Sequence, residues 1–402
     1  MKNALCGVSL ALALLSALPA DAAGFIHTDG TRFVDGAGHA FSIKGISLGN
    51  WLVQEGYMFK FDRARSPKEI QAVIEHVVGP DEATRFWQRF HDAYITEDDI
   101  AFLKKAGFNT VRVPLHYGLF VDDAGRFEGP GYGLLDRLIG WCRTAGIAVI
   151  LDMHAAPGGQ TGVNHDDGTG FPLVFYVPTY RRQTIDLWRH LAERYRDETA
   201  VLGYDLLNEP ISPYNDEDTL NPRLEPLYRD IVAAIRTVDS HHVVFLAAAQ
   251  WSTNFSVFGR PFDGNAAYTY HKFWANPERD AVQDYVNFSN RYGVPLFLGE
   301  TGELTDEWNA AFRTLNERFG IGWSFWAYKT MDSRSTVVSI PEPAGWPAIK
   351  RIGDHEPQDW AGLPTPSRED AQATLAAYLD AMVLKNGQIN QSYIASLGLK
   401  AP

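Results

Sequence analysis

The chain alternates short β-branched or aliphatic runs with longer amphipathic stretches from about residue 41 to residue 387, and this alternation limits the possible folds more than any other feature. It predicts parallel strands linked by helices, because each parallel connection needs a long crossover. Eight strands are predicted, at 41–47, 108–113, 147–152, 201–207, 243–247, 266–270, 294–299 and 321–326. Helices are predicted at 96–106, 133–145, 180–197, 224–238, 279–292 and 305–319, with a last one at 368–384.

Eight strand–helix repeats are the number that closes a (β/α)8 barrel, the α/β architecture also called a TIM barrel, in about 250 residues. Since the chain has 402 residues, the surplus is expected in loops and extensions of one domain. A hairpin-like start at 25–40, with two Asp-Gly turn pairs, is expected to cover the barrel floor. Long insertions follow the carboxyl ends of the first, third and eighth strands, at 57–93, 155–180 and 330–366. That end of a barrel is where active sites are built.

The first 22 residues have the composition of a secretory signal. Lys2 precedes an apolar stretch at 4–18, and Ala20-Asp21-Ala22 supplies a small-residue cleavage pattern. The apolar stretch is shorter than the ~20 residues of a membrane-spanning helix. We therefore predict a signal peptide at 1–22 and a barrel domain at 23–402, secreted or periplasmic and free of the membrane after cleavage.

Charge and cysteine content exclude several classes of function. With 36 Lys and Arg against 49 Asp and Glu, the formal net charge is −13, so nucleic acid is not an expected partner. Cys6 lies in the predicted signal, which leaves Cys142 as a single thiol without an internal disulfide. We interpret Cys142 as an inert core residue, with a thiol–histidine catalytic pair as the alternative. A monomer is expected.

Polar and aromatic residues collect at or near the carboxyl ends of the predicted strands: Glu55, Arg112, His154, Asn208, Glu209, His271, Glu300 and Trp326. Each alone is explained as well by a loop residue or a helix cap. Together they fall at six or more strand ends, which favours an active site at the barrel mouth.

Two carboxylates of this set, Glu209 and Glu300, close the fourth and seventh predicted strands and would face each other across the mouth. Glycoside hydrolysis needs such a pair, because one group protonates the leaving oxygen while the other attacks the anomeric carbon. A separation of about 5 Å would imply retention of configuration through a covalent intermediate. The alternative is a salt-bridged structural pair.

The motifs around these residues occur in a specific order: Arg112-Val113-Pro114, Asp152-Met153-His154, Asn208-Glu209-Pro210, Gly299-Glu300 with Gly302, and Trp326. In this order and spacing the chain resembles glycoside hydrolase family 5, the cellulase-like retaining β-glycosidases built on a (β/α)8 barrel. Asn208-Glu209-Pro210 resembles the acid/base motif, and Gly299-Glu300 resembles the nucleophile motif. The segments 45–53 with Glu55, and 154–160, are most similar to the exo-β-1,3-glucanase branch.

The chemistry and the resemblance together predict the catalytic roles. Glu209 is expected to act first as general acid and then as general base, with a raised pKa while Glu300 is ionised. Glu300 is expected to be the nucleophile, held ionised by the Arg112 cation. The alternative for Arg112 is a purely structural role in the barrel floor.

The resemblance also implies the sugar-binding residues. Asn208 would bind the 2-hydroxyl, and His154 and His271 would orient sugar hydroxyls and the nucleophile. Trp326 would stack on the sugar at the −1 position, with core packing as its alternative. Glu55 resembles a residue that binds hydroxyls of the terminal sugar in exo-acting members.

One position departs from the family pattern. The family commonly has Tyr two residues after the His of the sixth strand, bonded to the nucleophile, whereas His271-Lys272-Phe273 has Phe there. Tyr270 cannot replace it, because adjacent strand residues point to opposite faces. Either another donor serves, or the pKa of the nucleophile and the rate differ from the family norm.

Other chemistries fit the sequence less well. His165-Asp166-Asp167 and His241-His242 lack the spacing of a known metal motif, and no Gly-x-Ser-x-Gly stands at a strand-to-helix turn. We interpret residues 165–167 as a sugar-contacting or solvated loop, and residues 241–242 as the entry to a strand. No metal and no cofactor are expected.

The sequence thus predicts a retaining β-glycosidase that removes glucose from a β-1,3-glucan or oligosaccharide end by double displacement. Within the enzyme class, the alternatives are an endo-acting β-1,4-glucanase or another β-glycosidase of the same family. Outside it, the alternative is a carbohydrate-binding barrel that has lost catalysis.

Overall fold

The structure is a computed structural model that describes residues 24–122 and 124–402. The predicted signal peptide at 1–22 lies outside the described residues. The described chain begins with a hairpin of β1 (His27–Asp29) and β2 (Arg32–Val34). The barrel strands are β3 (Lys44–Ser47), β4 (Thr110–His116), β5 (Ala148–Ala155), β6 (Val201–Asp205), β7 (Val243–Ala247), β8 (Ala266–His271), β9 (Leu296–Glu300) and β10 (Gly322–Phe325).

These eight strands form one closed ring. Each strand pairs in parallel with the next along the chain, and β10 pairs with both β9 and β3 to complete the barrel. A closed parallel ring with helices between its strands is the predicted (β/α)8 barrel, so the fold class is confirmed.

Helices cover the outside of the barrel and its extensions. They are α1 (Pro67–Val78), α2 (Pro80–Tyr94), α3 (Glu97–Ala106), α4 (Gly131–Ala145), α5 (Pro178–Tyr195), α6 (Glu217–Arg236), the short turn α7 (Ala249–Ser252), α8 (Gln283–Tyr292), α9 (Asp306–Arg318), α10 (Trp346–Gly353), α11 (Arg368–Ala381) and α12 (Gln391–Ser396). In the part of the chain that the structure describes, no helix is both long and apolar enough to cross a membrane.

Helix α6 begins seven residues earlier than predicted. The predicted helix was 224–238, and the observed helix includes both Pro222 and Pro226. Asp216 caps the true start, where its carboxylate accepts a hydrogen bond from the Thr219 amide at 3.2 Å. The prolines each remove one helical hydrogen bond, and the buried leucine face of the helix outweighs that loss.

The N-terminal hairpin covers the barrel floor, as predicted. Phe33 packs in one buried cluster with inward-facing residues of the barrel strands, and its ring lies 5.8 Å from that of Phe245. This apolar plug closes the lower end of the barrel, so that polar groups can be concentrated at the opposite end.

The first and last insertions pack together beside the barrel mouth. Helix α1 contacts α10 and α11, α2 contacts α11, and Trp346 stacks on Phe61 with ring centroids 5.8 Å apart. The last insertion also contributes to a small sheet of β11 (Lys329–Met331), β12 (Val338–Ile340) and β13 (Gln388–Ile389), the last of which comes from the C-terminal part of the chain. Buried Lys329 lies 2.6 Å from the Asp99 carboxylate and ties this sheet to α3.

Cys142 lies fully buried on α4. Burial raises the pKa of its thiol, so the reactive thiolate is disfavoured. This environment supports the prediction of an inert core cysteine.

Candidate active site

A cavity of about 380 Å³ lies at the carboxyl ends of the barrel strands. Its walls come from the segments that follow seven of the eight strands; β4 contributes from below. The lining residues are Glu55, Tyr57, His154, His165, Asn208, Glu209, Trp251, Thr253, His271, Lys272, Phe273, Trp274, Glu300, Glu303 and Trp326. Seven of the eight predicted site residues are therefore brought together in one cavity.

The eighth, Arg112, lies directly beneath the cavity. It is the third residue of β4 rather than its last, so its fully buried side chain points into the barrel interior. Its guanidinium lies 2.5 Å from Glu300, 2.9 Å from Asp205 and 3.0 Å from Asp152. It also donates to the Asn208 side-chain oxygen at 2.8 Å. One cation thus orients the amide before Glu209 and the carboxylate of Glu300.

Burial disfavours the charged form of this guanidinium. The negative charges of Asp152, Asp205 and Glu300 have the larger effect, so the pKa of Arg112 lies above its usual value. The arginine therefore stays cationic at every accessible pH. A purely structural role does not account for its contact with Glu300, although it also holds three strands together.

The two carboxylates lie close to each other. One oxygen of Glu209, one oxygen of Glu300 and a ring nitrogen of His271 all lie within 4.8 Å of one another. The same ring nitrogen, Nδ1, is 3.0 Å from Glu209 and 3.6 Å from Glu300. Retaining glycosidases hold their carboxyl groups about 5–5.5 Å apart and inverting ones about 6.5–9.5 Å apart, so this spacing fits the retaining class.

The surroundings of the two carboxylates differ. Burial raises the pKa of Glu209 to about 7, and the nearest cations only partly offset that rise. Burial also raises the pKa of Glu300, which His271 and Arg112 counteract. Because Glu300 makes the direct ion pair with Arg112 and Glu209 does not, negative charge is favoured on Glu300 and a proton on Glu209.

The two histidines have opposite charge states. Burial lowers the pKa of His271 to about 3, so its ring is neutral and contacts both carboxylates without adding charge. Burial also disfavours the charge of His154, but Asp152, 2.7 Å from its Nδ1, raises the pKa of His154 to about 10. His154 is therefore a second cation beside Glu300, at 3.9 Å.

The loop after β6 holds Glu209 in an unusual backbone conformation, with φ of 46°. Its neighbour Asn208 is fixed because the Gln160 amide donates to the Asn208 carbonyl at 2.9 Å and to the His154 carbonyl at 2.7 Å. Asp166 in turn accepts a hydrogen bond from the backbone N–H of Gln160 at 2.8 Å. Left-handed conformations of non-glycine residues are costly and concentrate at functional sites, which fits a loop built to aim one carboxyl group.

The indole of Trp326 forms one wall of the cavity. It stacks on the His154 ring with centroids 5.4 Å apart and an angle of 9°, and Nε1 donates to the Tyr57 hydroxyl at 2.5 Å. A Cβ at Gly49 would lie 2.7 Å from the ring, so this glycine gives the indole its space. Glu55 lies 3.6 Å from His154 at the same wall. Trp326 thus packs against neighbouring side chains and also forms a wall of the cavity.

Phe273 is at the cavity, as the sequence predicted, and packs against the cluster of Met58, Trp326 and Ala327. Tyr270 points away from the cavity, where its hydroxyl bonds Asn316. Tyr270 therefore does not replace the missing hydroxyl. Arg112 donates a hydrogen bond to Glu300 at 2.5 Å instead, and the rings of His271 and His154 lie near the same carboxylate, at 3.6 Å and 3.9 Å.

The two histidine motifs of the sequence, at 165–167 and 241–242, lie in different surroundings in the structure. His165 lines the cavity, in agreement with the sugar-contacting interpretation of its loop. Asp166 holds that loop by accepting from backbone and side-chain donors, including the Thr161 hydroxyl at 2.8 Å. His242 is buried just before β7 and bonds Asp239 at 2.6 Å, so it is a structural residue at a strand entry.

Sequence reasoning missed several cavity residues because they lie in loops. Tyr57 is in the first insertion, Trp251 in the left-handed turn of α7 and Glu303 three residues beyond Glu300. Trp274 follows Phe273 and is 74% exposed. A tryptophan within a few residues of a strand end is the part of this signal that the sequence contains, since such a residue can line a cavity at the barrel mouth.

A (β/α)8 barrel with two close carboxylates above a buried arginine defines the class of barrel glycoside hydrolases. The family model described as Cellulase (glycosyl hydrolase family 5) matches residues 74–332. A β-xylosidase of Phanerodontia chrysosporium is 31% identical over 352 residues, which cover 78% of this chain and 72% of that protein. The chain therefore belongs to glycosyl hydrolase family 5 and is an O-glycosyl hydrolase.

Two further similarities agree with this family. A probable glucan 1,3-β-glucosidase A of Aspergillus fumigatus is 31% identical over 216 residues, covering 52% of this chain and 51% of that protein. The crystal structure of rutinosidase from Aspergillus niger has a TM-score of 0.59 at 19% identity, covering 72% of this chain and 90% of that one. The second similarity shows the shared fold alone.

Proposed function

We propose that this chain is a retaining β-glycosidase that removes glucose from the ends of β-1,3-linked glucan or oligosaccharide. Glu300 is the nucleophile and Glu209 the acid/base. The observation that carries this proposal is the pair of carboxylates within 4.8 Å of each other, of which only Glu300 is paired with Arg112. That spacing is nearer to the separation of about 5–5.5 Å typical of retaining enzymes than to the 6.5–9.5 Å of inverting ones.

In the first step, an oxygen of Glu300 attacks the anomeric carbon while Glu209 gives its proton to the glycosidic oxygen. The bond to the leaving group breaks, and a glycosyl ester forms on Glu300. This step consumes the negative charge of Glu300, so the pKa of Glu209 falls and it can act as base. In the second step, Glu209 takes a proton from water, whose oxygen attacks the anomeric carbon and releases Glu300.

The surrounding groups support these roles. Arg112 and cationic His154 stabilise the ionised nucleophile before attack and after release. Neutral His271 contacts both carboxylates and keeps them apart without a charge that would deprotonate Glu209. Asn208, held by Arg112, is placed beside Glu209 to bind the 2-hydroxyl of the sugar.

Glu55 supports action at chain ends, because it lines the cavity where it would bind hydroxyls of a terminal sugar. Glu55 and Trp326 occupy one wall, next to His154. The relatives named β-xylosidase and glucan 1,3-β-glucosidase support a β-linked substrate, and the second supports the β-1,3 linkage.

Product analysis tests the proposal. Purified protein is incubated with β-1,3-, β-1,4- and β-1,6-linked glucose oligomers, and early products are separated. Early release of glucose alone from β-1,3 oligomers, absent in Glu300→Ala, is expected. Mixed oligomers would indicate endo action, and turnover unaffected by Glu300→Ala would contradict the assigned nucleophile.

A further inference from the structure

Asp166 is a buried carboxylate that the mechanism above does not use. It lies in the loop after β5, and its side chain is not among those that line the cavity. One of its oxygens accepts hydrogen bonds at 2.8 Å from the backbone N–H groups of Gln160 and Thr161 and from the Thr161 hydroxyl. The other oxygen accepts from the backbone N–H of Gly168 at 2.8 Å. The loop from 160 to 168 is thus folded around one carboxylate, with the charge-assisted bonds that such an acceptor makes to N–H groups.

Gln160, which Asp166 holds, contacts the chain on both sides of Glu209. Its side-chain amide donates to the carbonyl of Asn208 at 2.9 Å, directly before Glu209. Its backbone carbonyl accepts from the N–H of Ile211 at 2.9 Å, two residues after Glu209. Gln160 is fully buried, so water does not compete for these bonds. One residue therefore fixes the backbone on either side of the predicted acid.

The segment that is held in this way has a strained backbone. Glu209 has a φ of 46° and Ile211 a φ of 60°, and left-handed conformations are costly for residues other than glycine, above all for a β-branched one. Such conformations persist only where the surrounding structure fixes them. A further contact of this kind joins the Thr161 carbonyl to the N–H of Ser212 at 2.6 Å. The contacts from 160–161 to 208–212 therefore stabilise the strained segment that carries the Glu209 carboxyl group.

We propose that Asp166 is a positioning residue for Glu209 and that it acts through Gln160 and Thr161. The role of Glu209 as the acid rests on the proposed function, whereas the hydrogen bonds between the two loops do not. Without the carboxylate, buried N–H groups lose their acceptor and the loop rearranges. A displacement of about 1 Å at the reacting groups costs roughly 10²-fold in rate. The nucleophile Glu300 is held by its own ion pair, so the displacement affects the proton donor selectively.

The contacts are tested without substrate by hydrogen–deuterium exchange, read by mass spectrometry. Asp166→Asn keeps the size of the side chain but replaces one acceptor oxygen by an NH₂ donor. We expect the backbone N–H groups of 208–212 to exchange roughly two- to tenfold faster in this variant, which corresponds to the loss of about one hydrogen bond.

The matched control is Asp239→Asn. Asp239 is also a buried carboxylate that accepts from two backbone N–H groups, those of His241 at 2.8 Å and His242 at 3.2 Å. It lies at the amino end of β7, opposite the cavity, and is expected to leave the exchange of 208–212 unchanged.

The consequence for catalysis is tested with two substrates that differ in their need for a proton. Asp166→Asn is expected to lower kcat/KM about 10–100-fold for phenyl β-glucoside and less than about threefold for 2,4-dinitrophenyl β-glucoside. A loss of folded protein would lower both values equally, so the ratio between the substrates separates positioning from stability. Asp239→Asn should leave this ratio unchanged. Gln160→Met removes the side-chain donor to Asn208, should shift the ratio in the same direction, and decides the question if Asp166→Asn does not fold.

The outcomes separate this proposal from the proposed function. Unchanged exchange at 208–212, or equal losses for both substrates, would overturn the positioning role of Asp166 while the catalytic assignment stands. Equal losses for both substrates in Glu209→Ala would instead refute the role of Glu209 as the acid, and faster exchange in Asp166→Asn would still support the contacts between the loops.

Discussion

The pH dependence of the first chemical step is the most informative consequence of the site. Glu209 must carry a proton when the glycosidic bond breaks, and burial raises its pKa to about 7. We therefore expect kcat/KM to level off about one unit below pH 7, to be halved near pH 7 and to fall about tenfold per pH unit well above it. At one unit above the pKa, only about a tenth of the molecules have the required proton.

The assay compares two substrates that differ in their need for the proton. An unactivated phenyl β-glucoside needs help from the general acid, whereas a 2,4-dinitrophenyl β-glucoside has a leaving group that departs unprotonated. The loss of kcat/KM above pH 7 is expected for the first substrate and should largely vanish for the second. Glu209→Ala should cost the first substrate about 10²–10⁴-fold and the second much less.

Burial raises the pKa of Asp205, which lies beneath the cavity, to about 7, and partial burial at the cavity rim raises the pKa of the more exposed Glu303. Glu303→Gln is expected to keep the fall above pH 7, which separates Glu303 from Glu209. The same fall for both leaving groups, or its persistence in Glu209→Ala, would refute the assignment of Glu209 as the acid.

Three substitutions test other parts of the site. Glu300→Ala should lower kcat by about 10⁴-fold or more without unfolding the protein, as measured by single-turnover kinetics and circular dichroism. Arg112→Met should lower the free energy of unfolding by about 3–5 kcal/mol in urea titration, because buried carboxylates lose their counter-charge. Gly49→Ala should cost about 1–3 kcal/mol and raise KM, because its Cβ would lie 2.7 Å from Trp326. Gly133→Ala on α4 is the matched control, since a Cβ there meets nothing within 4 Å; an equal loss in this control would contradict the steric argument.

The barrel and the two carboxylates were predictable because both follow from local patterns. Strand period and helix-length spacing fix a parallel ring, and polar residues at strand ends must converge at its mouth. The attraction of Arg112 for Glu300 was also expected from charge alone. The position of Arg112 within its strand was not predicted, because the sequence indicated a strand end and the structure has Arg112 inside β4.

The features of the site that could not be predicted depend on contacts between segments far apart in the chain. Tyr57 meets Trp326 across 269 positions, and no local pattern connects an insertion to a strand end at that distance. The left-handed backbone of Glu209 lies next to Asn208, whose carbonyl accepts a hydrogen bond from the Gln160 side chain 48 residues earlier in the chain. The charge difference between His154 and His271 likewise comes from Asp152 and burial, and both are known only after folding.

Trapping of the covalent intermediate tests the central claim most directly. The protein is treated with 2,4-dinitrophenyl 2-deoxy-2-fluoro-β-glucoside, whose fluorine slows both steps while the good leaving group speeds the first, so that a glycosyl ester accumulates. Peptide mass spectrometry then locates the label. The account predicts one fluoroglucosyl group on Glu300. Label on another residue, or release of the α-anomer as first product of an unlabelled enzyme, would contradict it.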